Sequence, residues 1–278
     1  MPLRILIILY LFPLFLMAQV KTECGNQMSA ADLQNHYARV QAVNSLLPHD
    51  TCLHRELSIV FHIVLDSMKQ PGVTIADLDA CVNKLNDGWK PICVAFKRCS
   101  VNYIPDYNYN EWKDNLHEPT CFPNYCATKT INIFLVDNIV TGGGMSGPAG
   151  YAGGMLVNGH NIIVMRKDAF TSTTALHEMG HYFGLPHTFI GGNELVRRTN
   201  CSTAGDGFCD TEADPYSQGD DPNAPCNFIS GPKDANNDYY TPPLDNYMTY
   251  FKNCRCRFTQ EQYNFMVYTF LTKGTHLH

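Results

Sequence analysis

The 278-residue sequence has little charge, and that charge is not concentrated anywhere. Its 20 basic and 26 acidic residues give a formal net charge of −6 and are scattered along the chain. Because nucleic-acid binding requires a basic patch or stripe, this distribution argues against nucleic acid as a partner. The sequence also lacks internal repeats and low-complexity tracts, and its 45% hydrophobic content is enough for a packed core.

The sequence also lacks long apolar runs, with one exception near its amino terminus. The one such run covers residues 5–17, follows an arginine, is interrupted by Pro13 and is followed by Ala18. This order is typical of a signal peptide over residues 1–18. A membrane anchor is the alternative, but the run is shorter than the roughly 20 residues that span a bilayer. We therefore expect a secreted, extracellular protein, or a periplasmic one in a bacterium, without membrane contact after signal cleavage.

The twelve cysteines include no Cys-x-x-Cys pair, which leaves little material for a zinc site built from thiolates. All of them follow the predicted signal peptide, and an oxidising compartment favours disulfide bonds. Disulfides are therefore expected, while the spacing alone leaves their connectivity open.

Hydrophobic periodicity predicts strands and helices in one mixed domain. Three runs rich in Ile and Val are predicted strands, at residues 56–66, 131–137 and 161–165. Three amphipathic segments are predicted helices: residues 29–47, residues 74–90 capped by Thr74 and Asp77, and residues 258–272 capped by Thr259 and Gln262.

Two further segments are predicted to be irregular. The glycine-rich residues 141–155 lack the Lys-Ser/Thr ending of a phosphate-binding loop and are expected to form a flexible loop. Residues 190–246 are rich in Gly, Asp, Asn and Pro, so we expect an irregular stretch held by disulfides or calcium.

The chemistry of the chain is concentrated in the segment HEMGHYFGLPH, residues 177–187. On a helix, His177 and His181 lie one turn apart on the same face, so both imidazoles can bind one ion. Gly184 accepts a positive φ and lets the backbone turn, which can bring His187 round as a third ligand. Three neutral nitrogens in an open tetrahedron suit zinc and leave the fourth position for water.

Glu178 directly follows the first histidine and is predicted to lie beside the metal rather than on it. There it can take a proton from a bound water, whose pKa zinc lowers to about 7. This combination is typical of a hydrolase. Two alternatives stay open: a secreted, disulfide-rich binding module with a structural zinc, and a zinc hydrolase that acts on something other than peptides.

The histidine motif followed by NYMTY, residues 246–250, resembles the metzincin clan of zinc endopeptidases. HTF after the third histidine, CSTAGDGFCDTEADP from residue 201 and DNYMTYFKNCRCRFTQEQ from residue 245 are similar to the pappalysin family, peptidase family M43. The resemblance implies an α+β, metzincin-like zincin fold. Its upper subdomain has a twisted, mostly parallel sheet and two long helices, and its lower subdomain is irregular and disulfide-stapled.

Several residue roles follow from this resemblance. Met248 would lie in the methionine-containing turn, which provides an apolar surface under the zinc. Tyr250 would help to stabilise the oxyanion of the tetrahedral intermediate. Asp206, Asp210 and Thr211 offer oxygen ligands for calcium, with a plain acidic turn as the alternative.

The segment ECGNQM resembles the Cys-Gly ahead of the catalytic domain in this family, where the thiolate can occupy the open zinc position. Cys24 is therefore a candidate latency switch in a pro-segment of residues 19–55, before a catalytic domain of residues 56–278. A disulfide through Cys24 is the alternative, because twelve cysteines pair evenly.

The family spacing also implies a bridge between Cys226 and Cys254, and Cys201 and Cys209 lie close enough in sequence to pair. Arginine specificity is not implied, because residues 253–255 read Asn-Cys-Arg where some relatives have an acidic residue. The sequence thus predicts a zinc metalloendopeptidase acting on protein or peptide substrates, with no prediction of its oligomeric state.

Overall fold

The computed structural model describes residues 28–46, 51–141, 145–157, 160–216, 223, 225–227 and 231–278. The predicted signal peptide, residues 1–18, and Cys24 lie outside these ranges. None of the helices in the described part of the chain has the length and apolar character needed to cross a bilayer.

The helices and strands of the described residues follow one another in a mixed order. They are α1 Ala30–Leu46, β1 Arg55–Val64, α2 Ile75–Trp89, β2 Val94–Ile104, β3 Glu111–Trp112, α3 Asp114–Tyr125, β4 Ile131–Val136, β5 Asn138–Thr141, β6 Met145–Ser146, β7 Gly150–Val157, β8 His160–Arg166, α4 Thr174–Tyr182 and α5 Gln260–Thr269. A π-helical turn, Phe270–Gly274, follows α5.

Five strands form the main sheet, in the order β2-β1-β4-β8-β7. The first three pairings are parallel, and β7 pairs antiparallel with β8 at one edge. The six residues of β4 are all buried, as are the last eight of β1, which is expected for central strands covered on both faces. The mostly parallel sheet with its helices confirms the predicted fold class.

Each face of this sheet carries an apolar cluster. The larger one contains side chains of α2, α4 and α5 with those of the strands, among them Trp89, Met179 and Phe265. The smaller one includes Trp112 and Phe122, which pack on Phe134 of β4 at ring-centroid distances of 5.8 and 5.2 Å. The larger cluster thus joins α4, which carries the first histidines, to the sheet.

Local capping signals in the sequence correctly predicted where two helices begin. At α2, Thr74 Oγ1 accepts from Asp77 N at 3.2 Å, and Asp77 Oδ2 accepts from Thr74 N at 2.8 Å. Thr259 and Gln262 make the same reciprocal pair at α5, at 3.4 and 2.9 Å. Both are capping boxes, in which two otherwise unpaired N–H groups are satisfied by side chains.

The prediction of a flexible glycine-rich loop was wrong for its second half, which forms the edge strand β7. Its backbone pairs with β8, with Gly150 opposite Met165 and Ala152 opposite Ile163. Glycine is needed because a Cβ on Gly153 would lie 2.8 Å from Ile162 Cγ1. Backbone pairing at an edge requires no alternation of side chains, so the sequence pattern contains no strand signal.

Helix α1, which lies in the predicted pro-segment, packs against the rest of the molecule. Val40 and Val43 are 2% and 1% exposed and belong to the larger core cluster. His36 donates from Nε2 to Asp206 O at 2.8 Å. The division into a pro-segment of residues 19–55 and a catalytic domain of residues 56–278 stays a prediction.

The stretch between α4 and α5 is irregular in its described residues, as predicted, apart from a 3₁₀ turn at Cys201–Thr203 and isolated bridges. The structure joins Cys201 to Cys209 and Cys226 to Cys254. A third bridge, Cys52–Cys93, was not predicted. The remaining described cysteines carry free thiols: Cys81, Cys99, Cys121, Cys126 and Cys256.

Candidate metal centre

Helix α4 and the turn after it carry the three histidines. All nine residues of α4 are buried, and the helix stops at a turn in which Leu185 N donates to Gly180 O at 3.0 Å. Gly184 has a φ of +92° in this turn, a conformation that favours glycine. The chain therefore reverses and returns His187 toward the helix.

The structure brings His177, His181 and His187 together. His181 Nε2 lies 3.2 Å from His177 Nε2 and 3.0 Å from His187 Nε2. The other ring nitrogens of the first two are fixed, because His177 Nδ1 donates to Tyr247 O and His181 Nδ1 donates to Leu185 O, both at 2.7 Å. A carbonyl only accepts, so both Nε2 atoms carry lone pairs that face the centre of the triad.

This arrangement fits a zinc ion. Nitrogens at 2.0–2.1 Å in tetrahedral positions are separated by about 3.3 Å, which is close to the distances in the triad. Burial lowers the pKa of His181 to about 4 and holds those of His177 and His187 well below the usual value, so the imidazoles are neutral. Neutral imidazole is the form that binds a metal.

Glu178 lies beside this triad on α4 and is fully buried. Gly150 at the start of β7 packs against its side chain, since a Cβ there would lie 2.9 Å from Glu178 Cγ and 3.0 Å from Oε1. The edge strand that the sequence did not predict therefore forms one wall around the candidate base. Gly150 is a site residue that sequence reasoning missed.

The predicted methionine turn lies beneath the histidines. Met248 is fully buried, and a Cβ on Gly180 would lie 2.5 Å from Met248 Sδ, so the glycine of the motif admits this sulfur. Asn246 orients the turn by accepting from Met248 N at 2.8 Å. The ring of Tyr250 lies 4.6 Å from that of His187.

The predicted calcium residues lie in a separate buried acidic cluster. Asp206 Oδ2, Asp210 Oδ1 and Thr211 Oγ1 are buried oxygens that make no hydrogen bond of good geometry among the described residues, although the Thr211 hydroxyl lies near the Asp206 carboxylate. Both carboxylate oxygens of Glu194 share this property, and its side chain adjoins Gly205, where a Cβ would lie 2.0 Å from Oε2. Sequence reasoning missed Glu194, because the residues next to its carboxylate, such as Gly205 and Asp206, lie further along the sequence and no local pattern marks it.

The electrostatics of this acidic cluster are unfavourable without a cation. Burial, together with the charges of Glu194 and Asp210, raises the pKa of Asp206 well above its usual value. Burial likewise raises the pKa of Glu194 to about 8; the charge of Arg198 offsets part of this effect, and the charges of Asp214 and Glu212 add to it. The histidine triad is more compact, since its ligand nitrogens all lie within 4.8 Å of one another.

A second compact group in the described part of the chain is Cys52, His54 and Cys93. Its two sulfurs are bonded to each other as a disulfide. This group is therefore a covalent bridge rather than a metal site.

Comparison with known proteins places the chain in a family. The model of peptidase family M43, described as pregnancy-associated plasma protein-A, matches residues 124–271, just over half of the chain. An extracellular metalloprotease of Podospora anserina is 39% identical over 90 residues, which are 32% of this chain and 26% of that protein. The chain thus matches about a quarter of that relative's length.

Two solved structures from Tannerella forsythia share the fold. A promirolysin mutant matches with a TM-score of 0.59 at 14% identity and covers 90% of this chain and 95% of its own. Mature mirolysin in complex with a cleaved peptide matches with a TM-score of 0.50 at 16% identity, covering 79% and 91%.

The family match includes the histidine motif, the Met248 turn and α5. It confirms the predicted family of zinc metallopeptidases. The chain belongs to peptidase family M43, the pappalysin family.

Proposed function

We propose that this chain is a zinc-dependent endopeptidase that hydrolyses peptide bonds in protein or peptide substrates. The observation that carries the proposal is the convergence of the Nε2 atoms of His177, His181 and His187 next to the buried Glu178. Family membership supports it. The cleaved peptide held by mature mirolysin supports peptides as the substrate class.

The three histidines would hold the metal, and the chemistry that a bound zinc supplies is Lewis acidity toward water and a carbonyl oxygen. Glu178 accepts a proton from the attacking water and returns it to the amide nitrogen as the peptide bond breaks. Tyr250, next to His187, donates its O–H to the oxygen that gains negative charge. Met248 supports the histidines from below through its contact with Gly180.

Replacing the base tests this proposal. Glu178→Ala should lower kcat by about 10²–10⁴ on a quenched peptide library, the range for loss of a general base, while zinc content stays at one ion per chain. Glu56→Gln, at an exposed ion pair with Lys97, is the control and should leave both unchanged. If Glu178→Ala loses zinc together with activity, the glutamate has a structural role instead.

Removing the metal separates an enzyme from a binding module with structural zinc. A chelator should stop hydrolysis of gelatin, and zinc should restore it. If the metal-loaded protein never hydrolyses gelatin or the peptide library, but the chelator lowers its melting temperature, the site is structural.

The acidic cluster is our proposed calcium site, with Glu194 added to Asp206, Asp210 and Thr211. Calcium prefers six to eight oxygen ligands, and a cation would neutralise the buried carboxylates. Calcium should raise the melting temperature of the zinc-loaded protein. Glu194→Gln should abolish that shift, whereas Glu111→Gln, an exposed residue of β3, should keep it. A chelation series restored by zinc alone, without a thermal shift from calcium, would remove this part of the proposal.

Latency through Cys24 is a further part of the proposal. Met28 lines a cavity of about 160 Å³ with His181, His187 and Pro186. Cys24 is four residues away, and four extended residues reach at most about 14 Å. A thiolate from this segment can therefore reach the metal position and exclude water.

The Cys24→Ala precursor should hydrolyse the peptide library without prior processing. Cys99→Ala, which removes an exposed free thiol of β2, should stay as latent as the parent chain. A Cys24→Ala precursor that is equally inactive would argue against the switch and leave the disulfide alternative.

Export with loss of residues 1–18 completes the proposal, and the Podospora relative, an extracellular metalloprotease, supports it. Amino-terminal sequencing of the protein from culture medium should begin at Gln19 in the precursor. Retention of residues 1–18 on a membrane-bound form would favour the anchor alternative.

A further inference from the structure

One buried carboxylate connects the turn that carries the third histidine to the methionine turn. Asp214 is 6% exposed, and its Oδ2 accepts from Thr188 Oγ1 at 2.6 Å and from Thr249 Oγ1 at 3.0 Å. Its Oδ1 accepts from Tyr216 N at 3.0 Å. The same oxygen thus holds two hydroxyls that are far apart in the sequence.

The two threonines are immediate neighbours of candidate site residues. Thr188 follows His187, and Thr249 lies between Met248 and Tyr250. Both threonines are fully buried. The backbones of the two turns also touch, because Thr188 N donates to Met248 O at 3.3 Å. A shift of either turn would therefore change the distance between His187 and Tyr250.

The Asp214 carboxylate contributes hydrogen bonds as well as packing contacts. Hydrogen bonds from hydroxyls to an ionised acceptor are shorter and roughly twice as strong as those between neutral groups. A buried carboxylate without such donors would be costly, so the threonine hydroxyls and Asp214 depend on each other. Valine has the shape of threonine without the hydroxyl, which allows the hydrogen bonds to be removed while the volume is kept.

Aromatic contacts extend this connection to the site itself. The ring of Phe189 stacks on that of His187 at 4.8 Å, and it lies 4.7 Å from the ring of Tyr250. Tyr216, whose N–H is held by Asp214, has its ring 5.2 Å from that of Tyr250. Phe189, which follows Thr188, and Tyr216 thus both pack against the ring of Tyr250, the candidate oxyanion donor.

We propose that Asp214 is a positioning residue that fixes the His187 ring and the Tyr250 hydroxyl relative to each other by holding Thr188 and Thr249 on one carboxylate oxygen. The inference rests on the proposed peptidase function for its kinetic consequence. Its consequence for metal binding is independent of the substrate.

The test uses Asp214→Asn, Thr188→Val and Thr249→Val in the full chain, with cobalt replacing zinc for visible spectroscopy. Groups that orient metal ligands typically contribute 10- to 100-fold to metal affinity or activity. We expect kcat to fall about 10- to 100-fold with KM within threefold, zinc affinity to fall about tenfold or more, and the cobalt spectrum to change. The Thr188→Val/Thr249→Val double variant should reproduce Asp214→Asn.

Asp234→Asn is the matched control. Asp234 is also a buried aspartate of the irregular stretch, and it accepts from Val196 N, Asn236 N and Asp238 N at 2.8–2.9 Å. Its replacement should lower the melting temperature and leave kcat, zinc affinity and the cobalt spectrum unchanged.

An Asp214→Asn variant that behaves like Asp234→Asn overturns the inference. If Asp214→Asn does not fold, the valine variants decide, and unchanged zinc affinity and spectra in them also overturn it. If the parent chain binds zinc but cleaves no peptide, the proposed function fails, while the affinity and spectral comparisons still decide the role of Asp214.

Discussion

At the scale of single residues, Gly150 is a position where a missing side chain defines the candidate site. Gly150→Ala would place a methyl group 2.9 Å from Glu178 Cγ and displace the carboxylate. We expect kcat to fall about tenfold or more, with an overpacking cost of about 1–3 kcal/mol in unfolding free energy. Steady-state kinetics and urea unfolding measure the two effects.

Gly231→Ala is the control for this substitution, because no atom of the described residues lies within 4 Å of the methyl group that alanine would add there. This variant should leave kcat and the unfolding free energy unchanged. Equal kcat values for the two alanine variants would show that the close approach of Gly150 does not position Glu178.

His36 makes stability depend on pH. Burial lowers its pKa from 6.5 to about 4. Its Nδ1 has no hydrogen-bond partner in the described residues, and Phe208 and Phe265 pack against its ring. Protonation would therefore place an unsatisfied N–H in apolar surroundings.

Between pH 6.5 and 4 the unfolded chain binds this proton and the folded chain does not, so stability falls as the pH falls through this window. The full contribution is present above pH 6.5 and corresponds to at most about 3 kcal/mol. His36→Gln keeps a donor for Asp206 O and should flatten the pH dependence of the unfolding free energy. An identical pH slope in parent and variant would contradict this assignment.

At the scale of elements, the start of α5 is connected to the methionine turn. Gln262 Oε1 accepts from Thr259 N, and it also accepts from Asn246 Nδ2 at 3.0 Å. Asn246 in turn orients Met248. The capping box of α5 therefore stabilises the floor of the candidate site as well as the helix.

Gln262→Ala should lower the unfolding free energy by about 1–3 kcal/mol through the lost cap and the unpaired Asn246 amide, and it should lower kcat. Thr74→Ala at the exposed capping box of α2 is the control and should cost about 1 kcal/mol without changing kcat. Melting curves and kinetics of both variants measure this. Unchanged kcat in Gln262→Ala would show that the turn is fixed without α5.

The helices with caps and the histidine motif could be predicted because their signals are local. Thr74 with Asp77 and Thr259 with Gln262 each act over three residues, and His177 and His181 are spaced by one turn. Strand β7 could not be predicted, because its glycine-rich sequence shows no alternation of apolar and polar side chains, although its backbone pairs with β8 like that of any strand. Glu194 and Asp214 gain their roles from distant partners, such as Asp206 and Thr249, which no local pattern indicates.

At the scale of the whole molecule, disulfides stabilise the irregular stretch between α4 and α5. Cys226–Cys254 closes 28 residues and Cys201–Cys209 closes 8. The chain-entropy model gives about 3–4 kcal/mol for the longer loop and about 2–3 kcal/mol for the shorter one. Double serine variants of each pair, compared by urea unfolding, should differ in this order, and a reversed order would show that native contacts outweigh loop length.

The bridge between Cys52 and Cys93 has a topological consequence. A cut in the backbone anywhere from residue 53 to residue 92, including the predicted boundary after residue 55, would divide the polypeptide into two segments that stay joined by this disulfide. The product would be a two-chain species one water heavier than its parent, migrating as a single band until a thiol reductant is added. Release of α1 after such a cut would therefore require reduction of the disulfide in addition to proteolysis.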